Sequence, residues 1–94
     1  LYLKGMVMDF EYDPEKSYKN KVKHGIDFEE ARMLWLDEKR FFTPARNTGE
    51  ARYALIGEWN QRVWTCIFTL RKGTIRFISV RRSRDGEKKI YNQR

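Results

Sequence analysis

Apolar and polar positions alternate with a two-residue period along much of the chain. A loose alternation over 7–12 predicts a first short strand. Alternation returns in the second half, where the predicted strands are Phe41–Thr43, Arg52–Trp59, Arg62–Arg71 and Thr74–Arg82. The two-residue turns Asn60-Gln61 and Lys72-Gly73 separate the last three. Because turns this short join antiparallel neighbours, these three strands predict a meander.

Helix signals occupy the region between the first strand and Phe41. Asp13 and Pro14 begin a helix that ends at Gly25. We expect its thin apolar face to consist of Tyr18 and Val22, four residues apart.

A second helix begins at the capping box formed by Asp27 and Glu30. It is expected to contribute core residues at helical spacing: Phe28, Ala31, Leu34 and Trp35.

A C-terminal helix is predicted over 83–93, anchored by Ile90 and Tyr91. The resulting order is β-α-α-β-β-β-β-α. It indicates an α+β domain in which two N-terminal helices pack on a mainly antiparallel sheet and a short helix follows. Met8 is a plausible natural start, so we expect the domain to span 8–94 and residues 1–7 to be a tag or upstream extension.

Composition removes several classes of protein. The chain has 94 residues, of which 40% are hydrophobic and 15% aromatic, which suits one small folded domain. Cys66 and His24 are the only cysteine and histidine, so an internal disulfide framework and a Cys/His zinc site are excluded. Cys66 is expected to be a buried apolar residue in a cytoplasmic protein, and no cofactor-binding motif is present.

Charge adds the first functional signal. The net charge is +7, but residues 1–60 hold ten basic and eleven acidic residues, whereas residues 61–94 hold ten basic and two acidic residues. The surplus therefore lies in the last third of the chain. A one-sided cationic surface suggests a polyanionic partner such as nucleic acid, and the alternative is a solvated basic face.

The strand over 74–82 is the richest in candidate chemistry. Strict alternation predicts that Arg81 shares a face with Ile75, Phe77 and Ser79, whereas Arg76 and Arg82 share the other face with Ile78 and Val80. A rigidly held guanidinium can clamp a phosphate with two hydrogen bonds, and Arg52 on a neighbouring strand could add another. Alternatively, these arginines form surface ion pairs with Glu50, Glu58 or Glu87.

Two further groups have alternative interpretations. His24 suits proton transfer because its ordinary pKa is about 6.5, but it also suits a structural role at a helix C-terminus. Trp59 and Trp64 flank a turn, where they could stack on bases, although core packing is the favoured interpretation.

Several blocks in order resemble one family. These are Phe10-Glu11-Tyr12-Asp13-Pro14, Lys16, Asn20, Lys23-His24-Gly25, Asp27–Ala31, Glu50-Ala51-Arg52, Ile56-Gly57, Ile78–Arg82, Glu87 and Tyr91. The ordered set is similar to the BrnT toxins and covers Phe10 to Tyr91. The loop from Pro44 to Gly49 departs from the family pattern, so no role is assigned to its residues.

The resemblance implies a fold and an activity. BrnT toxins resemble the RelE-type ribonuclease toxins, cleave RNA and inhibit growth by blocking translation. They pair with a BrnA antitoxin that carries a ribbon-helix-helix region, and the complex represses its own operon. We therefore expect a metal-independent endoribonuclease in which the 2′-hydroxyl of the RNA is the nucleophile. The alternative is a non-catalytic module that binds nucleic acid or an antitoxin.

Such a reaction requires charge stabilisation, a base and an acid. The candidates for charge stabilisation are Arg52, Arg76 and Arg81. The base could be His24, Glu50 or Glu87, and the acid could be His24 or Tyr91. Flanking phosphates are expected to bind Lys21, Lys23, Arg71 and Arg82. The sequence alone does not select one base.

Overall fold

The computed structural model describes residues 2–3, 6–7, 9–47 and 49–94. Along the chain the elements are β1 Tyr2–Leu3, β2 Met6–Val7, β3 Phe10–Glu11, α1 Pro14–His24, α2 Phe28–Ala31, a 3₁₀ helix Arg32–Leu36, β4 Phe41–Pro44, β5 Tyr53–Trp59, β6 Arg62–Arg71, β7 Thr74–Arg82 and α3 Asp85–Asn92. The α+β class predicted from the sequence is confirmed. Met8 lies outside the described residues, and a domain boundary there stays a prediction.

The main sheet has five strands in the order β3-β7-β6-β5-β4. The predicted meander is confirmed, because β5, β6 and β7 pair antiparallel in sequence order. Both connecting turns have left-handed backbone at their two central residues, with φ of 53° and 63° at Asn60 and Gln61 and 51° and 80° at Lys72 and Gly73. Such turns match the twist of the strands that they join.

The start of the chain forms more strands than the sequence predicted. The strand predicted over 7–12 is replaced by β2 and β3, and β1 and β2 pair with each other in a separate antiparallel ribbon. β3 pairs with β7 in parallel, placing Phe10 opposite Ile75. The main sheet is therefore mixed, and the short β3 covers only the first part of the β7 edge.

The second helix supplies the core, as its spacing predicts. Asp27 and Glu30 form the capping box, and Phe28, Ala31, Leu34 and Trp35 are each no more than 1% exposed. The helix tightens to 3₁₀ geometry at Arg32. These side chains pack on the apolar side chains of one sheet face, which we call the core face: Leu55, Trp64, Cys66, Phe68, Ile75, Phe77 and Val80. Cys66 is buried as expected, and burial raises the pKa of its thiol.

The first helix packs on the rest of the domain through polar side chains rather than through its thin apolar face. α1 is capped by Asp13 and ends at Gly25 as expected, but Tyr18 and Val22 are 69% and 71% exposed. The helix instead buries Ser17 and Asn20. Asn20 donates to the carbonyls of Ile26 and Val80, at 2.8 and 2.9 Å, and accepts from the Val80 N–H. Because α1 lies along the free edge of β7, partners for backbone groups matter more there than apolar area.

Of the two residues predicted to anchor the C-terminal helix, one is buried and the other is exposed. Tyr91 is 4% exposed, whereas Ile90 is 53% exposed. α3 packs near β5 on the sheet face opposite the core face, which we call the outer face. Of the helices in the described ranges, none is long and apolar enough to cross a membrane.

Candidate functional site

A β-bulge in β7 decides which arginines share a face. Ile67 pairs with Ser79 and Phe68 pairs with Phe77, so Ile78 has no partner and the alternation of β7 shifts by one residue. The strict alternation predicted from the sequence was therefore wrong.

After the shift, Val80 joins Ile75 and Phe77 in the core. Arg76 and Arg81, opposite Thr69 and Thr65 of β6, come to lie on the outer face together. Arg82 lies opposite Trp64 on the core face, with its guanidinium 5.6 Å from the centre of the indole ring.

Arg81 is the most firmly held arginine of the candidates. Its Nη1 and Nη2 donate to the two carboxylate oxygens of Glu87 at 2.8 and 2.9 Å. Glu87 also accepts from the hydroxyl of Thr65 and the N–H of Arg84. The hydrogen bonds from Arg81 lower the pKa of Glu87 to about 2. The two side chains are 24% and 25% exposed, so the pair is fixed in place and still reaches solvent.

His24 lies at the C-terminal end of α1, within the electrostatic influence of Arg81. Burial lowers its pKa, and the positive charges of Lys23 and Arg81 add to that effect. The imidazole is therefore neutral near pH 7 and able to accept a proton. The structure thus pairs Arg81 with Glu87 and places His24 within the electrostatic influence of Arg81.

Two clefts meet at His24. The first, which we call the lysine cleft, has a volume of about 210 Å³ and lies between α1 and β7, lined by Lys16, Lys19, Asn20, Lys23, His24, Ile78 and Ser79. The second, which we call the tryptophan cleft, has a volume of about 440 Å³ and is lined by Lys21, His24, Gly25, Glu30, Trp59, Asn60, Gln61, Arg62 and Trp64. His24 therefore stands between two surfaces that carry cationic side chains.

The remaining arginine candidates lie toward the other end of the outer face. Arg76 is 3.8 Å from Glu11, and Arg71 is 3.3 Å from Glu50. Arg52 directly precedes β5, and its Nε is buried with no hydrogen-bond partner among the described residues. Arg76 and Arg81 are five residues apart on β7, which corresponds to roughly 13–16 Å of strand. The sequence predicted one shared role, charge stabilisation, for Arg52, Arg76 and Arg81, whereas the structure separates Arg81 from Arg76 along the strand.

Tyr91 and the predicted phosphate-binding residues are distributed around these groups. The hydroxyl of Tyr91 donates to Asp37. Burial raises the pKa of Tyr91 well above its ordinary value, and the hydrogen bond to Asp37 adds to the effect. Lys23 lines the lysine cleft, and Lys21 lines the tryptophan cleft while donating to Glu30 at 2.8 Å.

Several residues that line the two clefts have no role predicted from the sequence. The sequence predicts no site role for Lys16 and Lys19 of the first helix, and it predicts only a turn at Asn60 and Gln61. Lys16 and Lys19 are about one helical turn apart and Asn60 and Gln61 are adjacent, which is visible in the sequence. The residues that complete each cleft lie far away in the chain, for example Ser79 of β7 in the lysine cleft and His24 of α1 in the tryptophan cleft. Within the described ranges, no three His, Cys, Asp or Glu side chains come close enough together to hold a metal ion.

The chain matches a known protein family over most of its length. A family model described as the ribonuclease toxin, BrnT, of a type II toxin-antitoxin system matches residues 12–87. This span runs from the end of the first strand region to Glu87 and contains His24, Arg81 and both clefts. No curated protein matches the chain.

Proposed function

The chain belongs to the BrnT family of ribonuclease toxins of type II toxin-antitoxin systems, and from this membership we propose a metal-independent endoribonuclease centred on His24, Arg81 and Glu87. The observation that carries the proposal is the Arg81–Glu87 pair, with bonds of 2.8 and 2.9 Å, whose arginine acts electrostatically on His24. His24 itself lies where two clefts lined by cationic side chains meet. The proposed reaction is attack by the 2′-hydroxyl of RNA on the adjacent phosphorus.

Arg81 supplies the charge stabilisation in this proposal. A guanidinium has five N–H groups, and the bonds to Glu87 and to the Arg82 carbonyl use three of them. The remaining two can bind phosphate oxygens as negative charge develops on them. Glu87 is a positioning residue, since a carboxylate with a pKa of about 2 is a weak base. Arg52, Arg71 and Arg76 then bind neighbouring phosphates farther along the outer face, and Arg82 binds one beside the tryptophan cleft.

His24 is the proposed base. It removes the proton from the 2′-hydroxyl, the 2′-oxygen forms a bond to phosphorus, and the bond from phosphorus to the 5′-oxygen breaks. The products are a 2′,3′-cyclic phosphate and a 5′-hydroxyl, whose proton comes from water or from protonated His24. Tyr91 is poorly suited as the acid because it is buried and its hydroxyl is bonded to Asp37. Glu50 is poorly suited as the base because it pairs with Arg71, away from His24.

The test is RNA cleavage by the purified protein with EDTA present throughout. We expect fragments that end in 2′,3′-cyclic phosphate and 5′-hydroxyl groups. A matched RNA with a single 2′-deoxy nucleotide at the cut position should stay intact there. Cleavage at the deoxy position would contradict the 2′-hydroxyl mechanism, and loss of all activity in EDTA, restored by a divalent cation, would contradict metal independence.

The role of His24 is tested by the pH dependence of cleavage. Because its pKa is lowered, the rate should rise with pH through a midpoint below 6.5 and then level off. His24→Gln should remove that step and lower the rate by about 10²–10⁴. An unchanged pH profile in a folded His24→Gln protein would assign the base elsewhere.

Membership of a type II family implies an antitoxin partner and an RNA substrate. We propose that the antitoxin is a BrnA-like ribbon-helix-helix protein acting with the toxin in the cytoplasm, and that operator DNA binds only through it. The apolar surface around Phe42, Tyr53 and Leu70, which are 53%, 37% and 51% exposed, supports a protein partner. Co-expression from the native operon should yield a complex that shifts operator DNA, whereas the toxin alone should not.

The second candidate is a binding module without catalysis. It is favoured by the fact that Glu87 already neutralises Arg81 in the unbound protein. Salt-sensitive RNA binding without any cleavage, by protein freed of its antitoxin and refolded, would select this alternative.

A further inference from the structure

We propose that the tryptophan cleft is a nucleobase-binding subsite that recognises one base next to the cut, through stacking on Trp59 and hydrogen bonds to Asn60 and Gln61. The inference rests on the proposed RNA cleavage only for the position of the cut. The chemistry of the cleft, an aromatic ring beside two side-chain amides, independently indicates an unpaired nucleobase.

Trp59 provides the stacking surface. It is half-buried at the end of β5 and packs against the hydrophobic core. The ring centre of Trp64 is 6.3 Å away at an angle of 52°, and Trp64 Nε1 donates to the Trp59 carbonyl at 3.0 Å. The indole is thus supported from behind while part of it faces the cleft. A fixed aromatic ring of this kind suits stacking with an unpaired base.

Asn60 and Gln61 provide groups that can distinguish bases. They are the two central residues of the β5–β6 turn, and both are exposed with positive φ. A turn of this type leaves little backbone freedom, so the two side chains start from fixed backbone positions next to Trp59. Each amide carries a donor and an acceptor, which is the combination that pairs with a base edge.

The distribution of charge indicates from which side an RNA strand approaches Trp59, Asn60 and Gln61. On one side lies the tryptophan cleft, with Lys21, His24 and Arg62, where Glu30 is paired with Lys21 at 2.8 Å. On the other side lies a third cleft, which we call the acidic cleft, lined by the same three residues together with Met33, Leu36, Asp37 and Glu58. The acidic side repels phosphate, so an RNA strand occupies the side that contains His24.

The position of His24 connects base recognition with the cut. His24 lines both the tryptophan cleft and the lysine cleft. A strand that crosses His24 therefore places one flanking nucleotide in the tryptophan cleft. The phosphates on the other side of His24 run past Lys16, Lys19 and Lys23. The base in the tryptophan cleft is thus the one whose identity affects cleavage.

The experiment measures cleavage of a randomised RNA library by sequencing the fragment ends. Asn60→Gly and Gln61→Gly remove the amides while keeping a residue that accepts positive φ. The unchanged protein should prefer one base, or one class of base, at a single flanking position. Each glycine variant should reduce that preference by about fivefold to a hundredfold, the range expected when a paired contact to a base is lost. The matched control is Met33→Ala, in the acidic cleft, which should leave the preference unchanged.

A second measurement separates this inference from the proposed cleavage. Ribonucleotide tetramers of each single base should quench tryptophan fluorescence, and the difference between the unchanged protein and Trp59→Phe reports on Trp59. Quenching that depends on the base, in a protein that cuts no RNA, would reject the proposed cleavage and retain the subsite. The inference is overturned if Asn60→Gly and Gln61→Gly keep the full preference, or if no tetramer quenches Trp59.

Discussion

The outer face of the sheet holds arginines at two ends, and the two ends are built differently. At the Arg81 end, two bonds of 2.8 and 2.9 Å join the guanidinium to Glu87, with both side chains about one quarter exposed. At the Arg76 end, the distance to Glu11 is 3.8 Å and the side chains are 30% and 43% exposed. Both ends therefore carry an arginine beside a carboxylate, but only the Arg81 end is rigid.

Because both ends carry the same residue types, it is position in the fold that separates a candidate catalytic group from a general phosphate contact. Glu87 belongs to α3, which packs on the sheet, and Thr65 and the Arg84 N–H fix its carboxylate. Glu11 lies on the two-residue edge strand β3 and has fewer constraints. A rigid guanidinium loses little entropy on binding a transition state, whereas a loosely held one contributes mainly to affinity.

The largest expected effect comes from replacing the arginine at each end of the outer face by alanine. Arg81→Ala should lower the rate of RNA cleavage by about 10²–10³, because one fixed donor group to the developing charge is lost. Arg76→Ala should lower it by less than about threefold at saturating RNA. Rates are measured on the same RNA, with circular dichroism to confirm folding. Equal effects of the two substitutions would remove the distinction between the ends.

A second prediction concerns the support beneath the Arg81 end. Asn20→Ala should lower the free energy of unfolding by about 2–3 kcal/mol, because the Val80 N–H and C=O lose their buried partner. Tyr18→Ala on the same helix is the control. Its side chain is 69% exposed, so its effect should stay within about 0.5 kcal/mol. Urea unfolding measures both, and similar values for the two variants would show that the edge contact contributes little.

A third prediction uses the acid dependence of stability at the Arg81 end. The folded-state pKa of Glu87 is lowered from 4.5 to about 2. Its contribution is therefore present above pH 4.5 and is lost as the pH falls toward 2. Allowing for partial exposure, Glu87→Gln should reduce the free energy of unfolding by about 2 kcal/mol at pH 7.

That difference should shrink steadily between pH 4.5 and pH 2, as measured by urea unfolding at several pH values. A difference that stays constant across this range would mean that the ion pair is not its source.

The smallest expected effect is at the Arg76 end. A double-mutant cycle with Arg76→Ala and Glu11→Ala should give a coupling energy below about 0.5 kcal/mol, because the pair is exposed and 3.8 Å apart. The coupling should fall further in high salt. A coupling of 2 kcal/mol or more would make the two ends alike.

Local patterns in the sequence predicted most of the elements. β6 and β7 begin and end where alternation placed them, and the capping box at Asp27 begins α2 as expected. These features depend on neighbours a few residues apart, so a single sequence contains the necessary information. The buried face of α1 was not predictable in this way, because Ser17 and Asn20 are buried to satisfy backbone groups of Phe28 and Val80.

Sequence patterns alone were sufficient for the class of domain, the order of elements after the first strand region, the concentration of positive charge in the last third and the resemblance to a toxin family. The tertiary structure decided which charges meet. A bulge at Ile78 places Arg81 on the outer face, α3 brings Glu87 to it, and the end of α1 brings His24 within the influence of the Arg81 charge. Periodicity carries no record of an extra unpaired residue or of contacts between distant segments. The site is therefore a product of packing, although each of its residues was visible in the sequence.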